Sequence, residues 1–122
     1  MSILYGAVLE FLRDRFKGAL SHAEEEFAVG VANVEVAGGD SERVSLTFVN
    51  LAATNLFLAP SVNVSATHGL RLAPNGGTVS MNVNDDALLP ALNWWCVSSG
   101  ADGALFVLSV RRTRITPKAE GG

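Results

Sequence analysis

Cysteine is almost absent from the sequence, which has a single one, Cys96, in 122 residues. One cysteine excludes a disulfide within the chain and any metal site built from several thiolates. Because Cys96 stands beside Trp94 and Trp95 in an apolar run, it is predicted to be a buried thiol that packs as a small hydrophobic side chain.

Charged residues are also scarce, at 17% of the chain with a net charge of −3. Without a global basic field to hold a polyanion, binding to nucleic acid is not expected. A chain of this length forms one domain, and a small domain with so few charges commonly hides part of its surface in a partner or in copies of itself. The composition therefore favours a homo-oligomer.

Residue patterns for catalysis or metal binding are missing as well. The two histidines, His22 and His68, have no partners at metal-ligand spacing, and neither a glycine-rich phosphate loop nor a Ser-His-Asp set is evident. Asp85 and Asp86 lack the spacing and the glutamate of a calcium loop, so we interpret them as a solvated turn or a helix cap. We expect no cofactor, no metal and no enzymatic activity.

The amino-terminal stretch has no basic start typical of a signal peptide, and Glu10 interrupts it too early for a membrane span. Residues 2–26 instead predict an amphipathic helix, with an apolar residue at every fourth position. This stripe consists of Leu4, Val8, Leu12, Phe16 and Leu20. It could pack on the sheet of its own domain, or it could contact another copy or a larger shell. A membrane-surface role is disfavoured because acids balance bases on the polar side.

From Phe27 the apolar period changes from four residues to two, the period of a strand with one buried face. In residues 43–50, for example, Val44, Leu46 and Phe48 predict the buried face. Such segments recur at spacings of about ten residues, with turn signals between them, which predicts a mainly β fold. We expect an antiparallel β-sandwich or small barrel of about seven strands. The predicted organisation is an N-terminal helix or arm over residues 1–27, a β domain over 28–116 and a flexible tail over 117–122.

The clearest turn signal is Asn75-Gly76-Gly77, because these residues tolerate positive φ. It predicts a hairpin between residues 70–72 and 78–83.

Two further groups of side chains are candidates for contacts. Arg111, Arg112 and Arg114 concentrate positive charge near the end of the chain, either as a solvated strand end or as a contact with an acidic partner. Trp94 and Trp95 lie in one predicted strand, so one ring faces in and the other faces out, where it could stack on a ligand.

A series of turn and strand signatures runs through residues 44–112. They are Asn50-Leu51, Phe57-Leu58-Ala59-Pro60, Val64-Ser65-Ala66-Thr67, Gly69-Leu70-Arg71-Leu72, Pro74, Gly76-Gly77, Asp85-Asp86 and Asn93-Trp94-Trp95. This pattern resembles small β-rich structural proteins of tailed and icosahedral bacteriophages. The resemblance implies a virion accessory protein, such as a head decoration, spike or fibre-base protein, located in the virion. It also implies a homo-oligomer, with a trimer favoured, that contacts capsid or other virion proteins.

Two hypotheses for function follow. The first is a structural component of a bacteriophage or phage-like particle, which assembles with copies of itself and docks to the shell through the N-terminal stripe or the arginine group. The alternative is a ligand-binding module for surface carbohydrate, with Trp94 or Trp95 as the stacking platform.

Overall fold

The computed structural model describes residues 19–113, which form eight strands and two short helical turns. The strands are β1 (Ala19–Val29), β2 (Val34–Ala37), β3 (Arg43–Asn50), β4 (Leu56–Ala59), β5 (Leu70–Leu72), β6 (Thr78–Asn82), β7 (Trp94–Ser98) and β8 (Gly103–Thr113). The turns are the α-helix α1 (Val83–Asp86) and a 3-10 helix (Leu89–Ala91), both between β6 and β7.

The strands form two four-stranded antiparallel sheets. Sheet A has the order β1-β8-β3-β6 and sheet B the order β2-β7-β4-β5. Of the consecutive strands, β4 and β5 are paired, whereas every other connection crosses from one sheet to the other. This is the topology of a jelly roll, a sandwich of two interlocked Greek keys. The prediction of a mainly β antiparallel sandwich is confirmed, with eight strands instead of about seven.

The inward faces of the two sheets form the core. Leu46 and Phe48 of β3 are fully buried and alternate with partly exposed neighbours, as the sequence pattern predicts. The Phe48 ring lies 5.7 Å from that of Trp94, which comes from the facing sheet. Cys96 is buried in the same cluster, and this burial raises the pKa of its thiol to about 12. A thiol of this kind is unreactive at neutral pH.

The predicted N-terminal helix is wrong over residues 19–27, because these residues belong to strand β1. This strand pairs with β8 along its whole length, from Ala19 opposite Thr113 to Val29 opposite Gly103. A continuous ladder of backbone hydrogen bonds outweighs the modest helix propensity of a run such as Ala-Glu-Glu-Glu. Leu20 is therefore a strand residue opposite Arg112 and not the end of a helical stripe. The rest of the predicted helix, with Leu4, Val8, Leu12 and Phe16, lies outside the described residues, as do Arg114 and the predicted tail.

The turn at Asn75 and Gly76 is present, but the predicted hairpin is wrong. Both residues have positive φ, 59° and 112° respectively. The strands that flank them, β5 and β6, belong to different sheets. The turn is hydrogen-bonded to the end of β3 and the loop after it, because the amides of Asn75 and Gly76 donate to the carbonyls of Ala52 and Asn50. The turn signal was correct, whereas the partner of each strand was decided by these longer-range bonds.

Candidate functional site

One end of the sandwich is formed by four loops that carry almost no charge. They are residues 30–33, 51–55, 73–77 and 99–102, which connect the ends of β1, β3, β5 and β7 to the strands that follow. Asp102 is the single charged residue in this set. Two large apolar side chains are exposed there, Val31 at 70% and Leu51 at 51%. We call these four loops the low-charge end. Exposed aliphatic residues with few charges are typical of the centre of a protein contact surface.

A buried asparagine fastens two of these loops together. The Asn50 side chain has no solvent exposure, and its Nδ2 donates to the carbonyls of Thr54, Leu72 and Ala73 at 2.7, 3.1 and 3.0 Å. Its Oδ1 accepts from the amide of Ala52 at 2.8 Å. The amide is thus satisfied on both of its polar atoms, as a buried polar group must be to avoid a desolvation penalty.

The remaining loops are bonded to one another in the same way. The amides of Ser98 and Ser99 donate to the carbonyls of Gly30 and Asn55, both at 2.9 Å. The hydroxyls of Thr54 and Ser98 lie 2.8 Å apart. The low-charge end is therefore a set of cross-bonded loops, which loses little conformational entropy when a partner covers it.

The opposite end is organised by a second buried polar side chain, Arg43. Its Nε donates to the carbonyl of Pro90 at 2.7 Å, and its Nη2 donates to those of Gly38 and Leu92 at 2.7 and 2.9 Å. These bonds hold the β2–β3 turn against the β6–β7 connection. Burial lowers the pKa of the Arg43 guanidinium, and the nearby Asp40 opposes this shift. We call the region of residues 38–43, 83–93 and 111–112 the arginine end.

Arg111 and Arg112, which were predicted to contact an acidic partner, are each paired with an acidic side chain of the same chain. Arg111 Nε donates to Asp40 Oδ2 at 2.8 Å, and Arg112 Nε lies 3.3 Å from Glu42 Oε1. The hydrogen bond from Arg111 is the main cause that lowers the pKa of Asp40. Asp40 Oδ1 also accepts from the amide of Glu42, so the carboxylate closes the β2–β3 turn.

The Asp40 carboxylate is expected to make stability depend on pH. Its pKa in the folded chain lies below the ordinary value of 3.8, so its contribution is fully present above that value and is lost as the pH falls through the lowered pKa. Asp40→Asn should therefore lower the urea midpoint at pH 7, and the difference from the wild type should narrow below pH 3.8. Urea unfolding at both pH values, with the exposed Glu26→Gln as a control, measures this. An equal difference at both pH values would contradict the prediction.

An open groove of about 370 Å³ lies at the arginine end. Its apolar walls come from Val44, Val83 and Leu88, and Ser41, Arg43 and Arg112 contribute polar atoms. Leu88 is 73% exposed, and Leu89 and Leu92 nearby in sequence are also exposed. The Nε atom of Arg112 is buried and makes no hydrogen bond among the described residues. This end thus combines exposed leucines with a guanidinium.

The two tryptophans face opposite sides of sheet B. Trp94 is buried in the core, and its Nε1 donates to the carbonyl of Leu89 at 2.9 Å. Trp95 lies on the outer face, half-buried against a second cluster that includes Phe57 and Val64. The loop that carries Val64 is tied across this face, because Asn33 Nδ2 donates to the carbonyls of Val62 and Val64. The two rings face opposite sides of the sheet, as predicted. The loop that carries Val64 leaves the Trp95 ring only partly accessible for stacking on a ligand.

The candidates for metal or acid-base chemistry are placed apart. His22 lies on β1, where its Nε2 is 3.4 Å from Glu24, and His68 closes a turn with Ser65. Asp86 accepts from the amide of Asn82, whose own Oδ1 caps α1, so the acidic pair belongs to a capped turn. Over residues 19–113, no group of three or more His, Cys, Asp or Glu side chains could hold a metal ion. In the same range, no helix is long and apolar enough to cross a membrane.

No sequence pattern pointed to a role for Asn50, Val31, Leu51 or the exposed leucines of the arginine end. Asn50 ends a strand whose alternation marks it only as an inward position. The low-charge end leaves a signal in the sequence, because four separate turns, rich in Gly, Ala and Asn, carry a single charge between them. That signal becomes visible only when the topology brings these turns to one end.

No protein-family model and no curated protein matches the chain in sequence. Among solved structures, the chain is similar to one from Bacillus endospore appendages, described as a novel family of disulfide-linked pili. This likeness has a TM-score of 0.51 at 9% identity and covers 80% of this chain and 88% of that chain. A Cupin_2 domain of an XRE family transcriptional regulator from Enterobacter cloacae matches with a TM-score of 0.46 at 15% identity, over 78% of this chain and 83% of that one. At 9% identity, the likeness to the appendage protein is one of fold alone.

Proposed function

We propose that this protein is a structural, non-enzymatic subunit of a larger particle. The observation that carries this proposal is the low-charge end, where cross-bonded loops expose Val31 and Leu51 with Asp102 as the single charge. Exposed aliphatic side chains among few charges are suited to contact with a protein partner. The similar fold of a pilus protein is consistent with a structural role.

The particle that we propose is a bacteriophage or phage-like one, in which the chain is a capsid decoration, vertex spike or fibre-base protein. This part rests on the resemblance carried by the turn and strand signatures of residues 44–112, together with the jelly-roll topology, which viral capsid proteins also use. The proposed partners are further copies of the chain, a trimer being the expected state, and capsid or other virion proteins. The N-terminal residues Leu4, Val8, Leu12 and Phe16 remain a second proposed contact with copies or with the shell.

The proposal is tested on purified particles from the source organism. Peptides of this chain should be recovered by mass spectrometry from particles banded on a density gradient, at a constant ratio to the main shell protein. Particles from a strain with the coding sequence deleted, with and without complementation, provide the matched control. Absence of these peptides from the wild-type particles would contradict the proposal.

A further inference from the structure

We propose that Asn75 is a site of spontaneous deamidation, which the hydrogen bonds of the low-charge end keep unreacted while the chain is folded. This inference goes beyond the proposed function and does not depend on it. Asn75 is the one asparagine in the sequence that is followed by glycine. The other asparagines precede Val, Leu, Asp or Trp, whose side chains hinder attack by the following backbone nitrogen. The sequence therefore singles out the peptide between Asn75 and Gly76.

The reaction needs water and no other reactant. The backbone nitrogen of Gly76 gives up its proton to the solvent and attacks Cγ of Asn75. The new N–Cγ bond closes a succinimide ring, and the side-chain nitrogen takes up a proton and leaves as ammonia. Water then adds to one of the ring carbonyls and breaks the bond between that carbonyl and the ring nitrogen. The product is aspartate or isoaspartate at position 75, and no atom is oxidised or reduced.

In the folded chain the attacking nitrogen is already engaged. The Gly76 amide donates to the carbonyl of Asn50 at 2.7 Å, and the Asn50 amide donates back to the carbonyl of Gly77 at 2.8 Å. Asn50 has no solvent exposure, so the proton of Gly76 points to a buried carbonyl and not to water. Removal of this proton would also leave that carbonyl without its donor, which is unfavourable. The bond therefore suppresses the first step of the reaction.

The backbone conformation of the turn suppresses ring closure as well. Asn75 and Gly76 both have positive φ, at 59° and 112°. The Asn75 amide donates to the carbonyl of Ala52 at 2.8 Å, so the peptides before and after Asn75 are both tied to the end of β3 and the loop after it. Ring closure must turn the second of these peptides until its nitrogen meets Cγ. This rotation cannot occur while Gly76 stays bonded to Asn50.

Burial does not explain this protection. Asn75 and Gly76 are both exposed, and a side chain built on Gly76 would meet nothing within 4 Å. Solvent therefore reaches the turn, and the hydrogen bonds are what prevents the reaction. Local opening of this loop is enough to start it, because loops can open without unfolding of the whole domain.

The product changes the low-charge end permanently. Either form adds a carboxylate to a surface on which Asp102 is the single charge. Aspartate tolerates positive φ, so it can keep the turn. Isoaspartate lengthens the backbone by a methylene group, so Gly76 cannot return to its place against the Asn50 carbonyl. The reaction thus leaves a lasting chemical mark on chains in which this end has opened.

The experiment follows the full chain at pH 8, in buffer and in guanidinium chloride, by peptide mapping with mass spectrometry. Replacement of NH₂ by OH raises the mass of the peptide that contains Asn75. The rate should be at least about tenfold lower in the folded chain, because loss of the bonds of Asn75 and Gly76 costs more than the free energy that corresponds to a factor of ten. The exposed Asn63, which is followed by Val64, is the internal control and should not change over the same period. Equal rates in the folded and the unfolded chain, or no reaction in either, would overturn the proposal.

Two variants separate local opening from unfolding of the whole domain. Asn50→Asp removes the side-chain bonds that fasten the low-charge end, whereas Arg43→Lys weakens the opposite end of the sandwich. In buffer in which circular dichroism shows both to be folded, Asn50→Asp should deamidate at Asn75 at least about tenfold faster than the wild type. Arg43→Lys should react at the wild-type rate, because a loss of stability elsewhere leaves the local opening unchanged. Equal rates in the two variants would overturn control by the bonds of the low-charge end.

Discussion

Asn50→Asp is expected to lower the free energy of unfolding by about 3 to 5 kcal/mol, the range found when a buried charge lacks a partner. The substitution keeps the size of the side chain but replaces an amide donor with a carboxylate. The carbonyls of Thr54, Leu72 and Ala73 would then face an oxygen in place of Nδ2. Asp could escape only by protonation, and even then its single O–H could satisfy one of the three. Urea unfolding at pH 7, followed by circular dichroism, measures the change.

The matched control is Asn55→Asp. Asn55 Oδ1 accepts from Arg71 Nε at 3.1 Å in an exposed setting, and a carboxylate at this position still accepts that bond. The control should change the free energy of unfolding by less than about 0.5 kcal/mol, as is usual for surface substitutions. Equal effects of the two substitutions would show that the bonds of Asn50 do not hold the low-charge end together.

The strands could be predicted from the sequence, whereas their partners could not. Alternation in residues 43–50 follows from one side of a strand facing the core, which is a local property. The crossing from β5 to β6, in contrast, depends on where the turn amides of Asn75 and Gly76 find acceptors, and those acceptors are Ala52 and Asn50 on another connection. A local pattern predicts a turn equally well in a hairpin and in a crossing between sheets.

The start of the β domain at β1 is a second case in which the local sequence does not determine the structure. The residues around Glu24, Glu25 and Glu26 have good helix propensity, and Leu20 continues an apolar period of four. These residues are exposed in β1. Apolar and polar side chains therefore do not alternate there with the period of two that would indicate a strand. Their conformation comes from pairing with β8, and the sequence of β1 does not contain that information.

For the candidate site, the sequence showed that positive charge is concentrated at Arg111 and Arg112. It did not show which groups these side chains contact. Both side chains are engaged by acids of the β2–β3 turn, and this turn reaches them only because β3 pairs with β8. Among the described residues their acidic neighbours are Asp40 and Glu42 of the same chain, and a contact with a second protein stays a prediction. The arginine with the most bonds to carbonyls among the described residues, Arg43, had no signal beyond its place at the start of a predicted strand.

Arg43→Lys is expected to lower the free energy of unfolding by about 3 kcal/mol, although it keeps the positive charge. Hydrogen bonds from a charged donor contribute about 1.5 to 3 kcal/mol each, and Arg43 makes three of them in the planar geometry of a guanidinium. A lysine ammonium is a single point with shorter reach, so it cannot donate to Gly38, Pro90 and Leu92 together. At least one buried carbonyl then lacks its donor, which itself costs about 1 to 3 kcal/mol.

Arg71→Lys is the matched control for this last substitution, because Arg71 is exposed and its described bond is the single one to Asn55. It should change the free energy of unfolding by less than about 0.5 kcal/mol. Urea unfolding of the two variants, followed by circular dichroism, measures the difference. Equal changes in the two variants would show that the three bonds of Arg43 do not stabilise the arginine end.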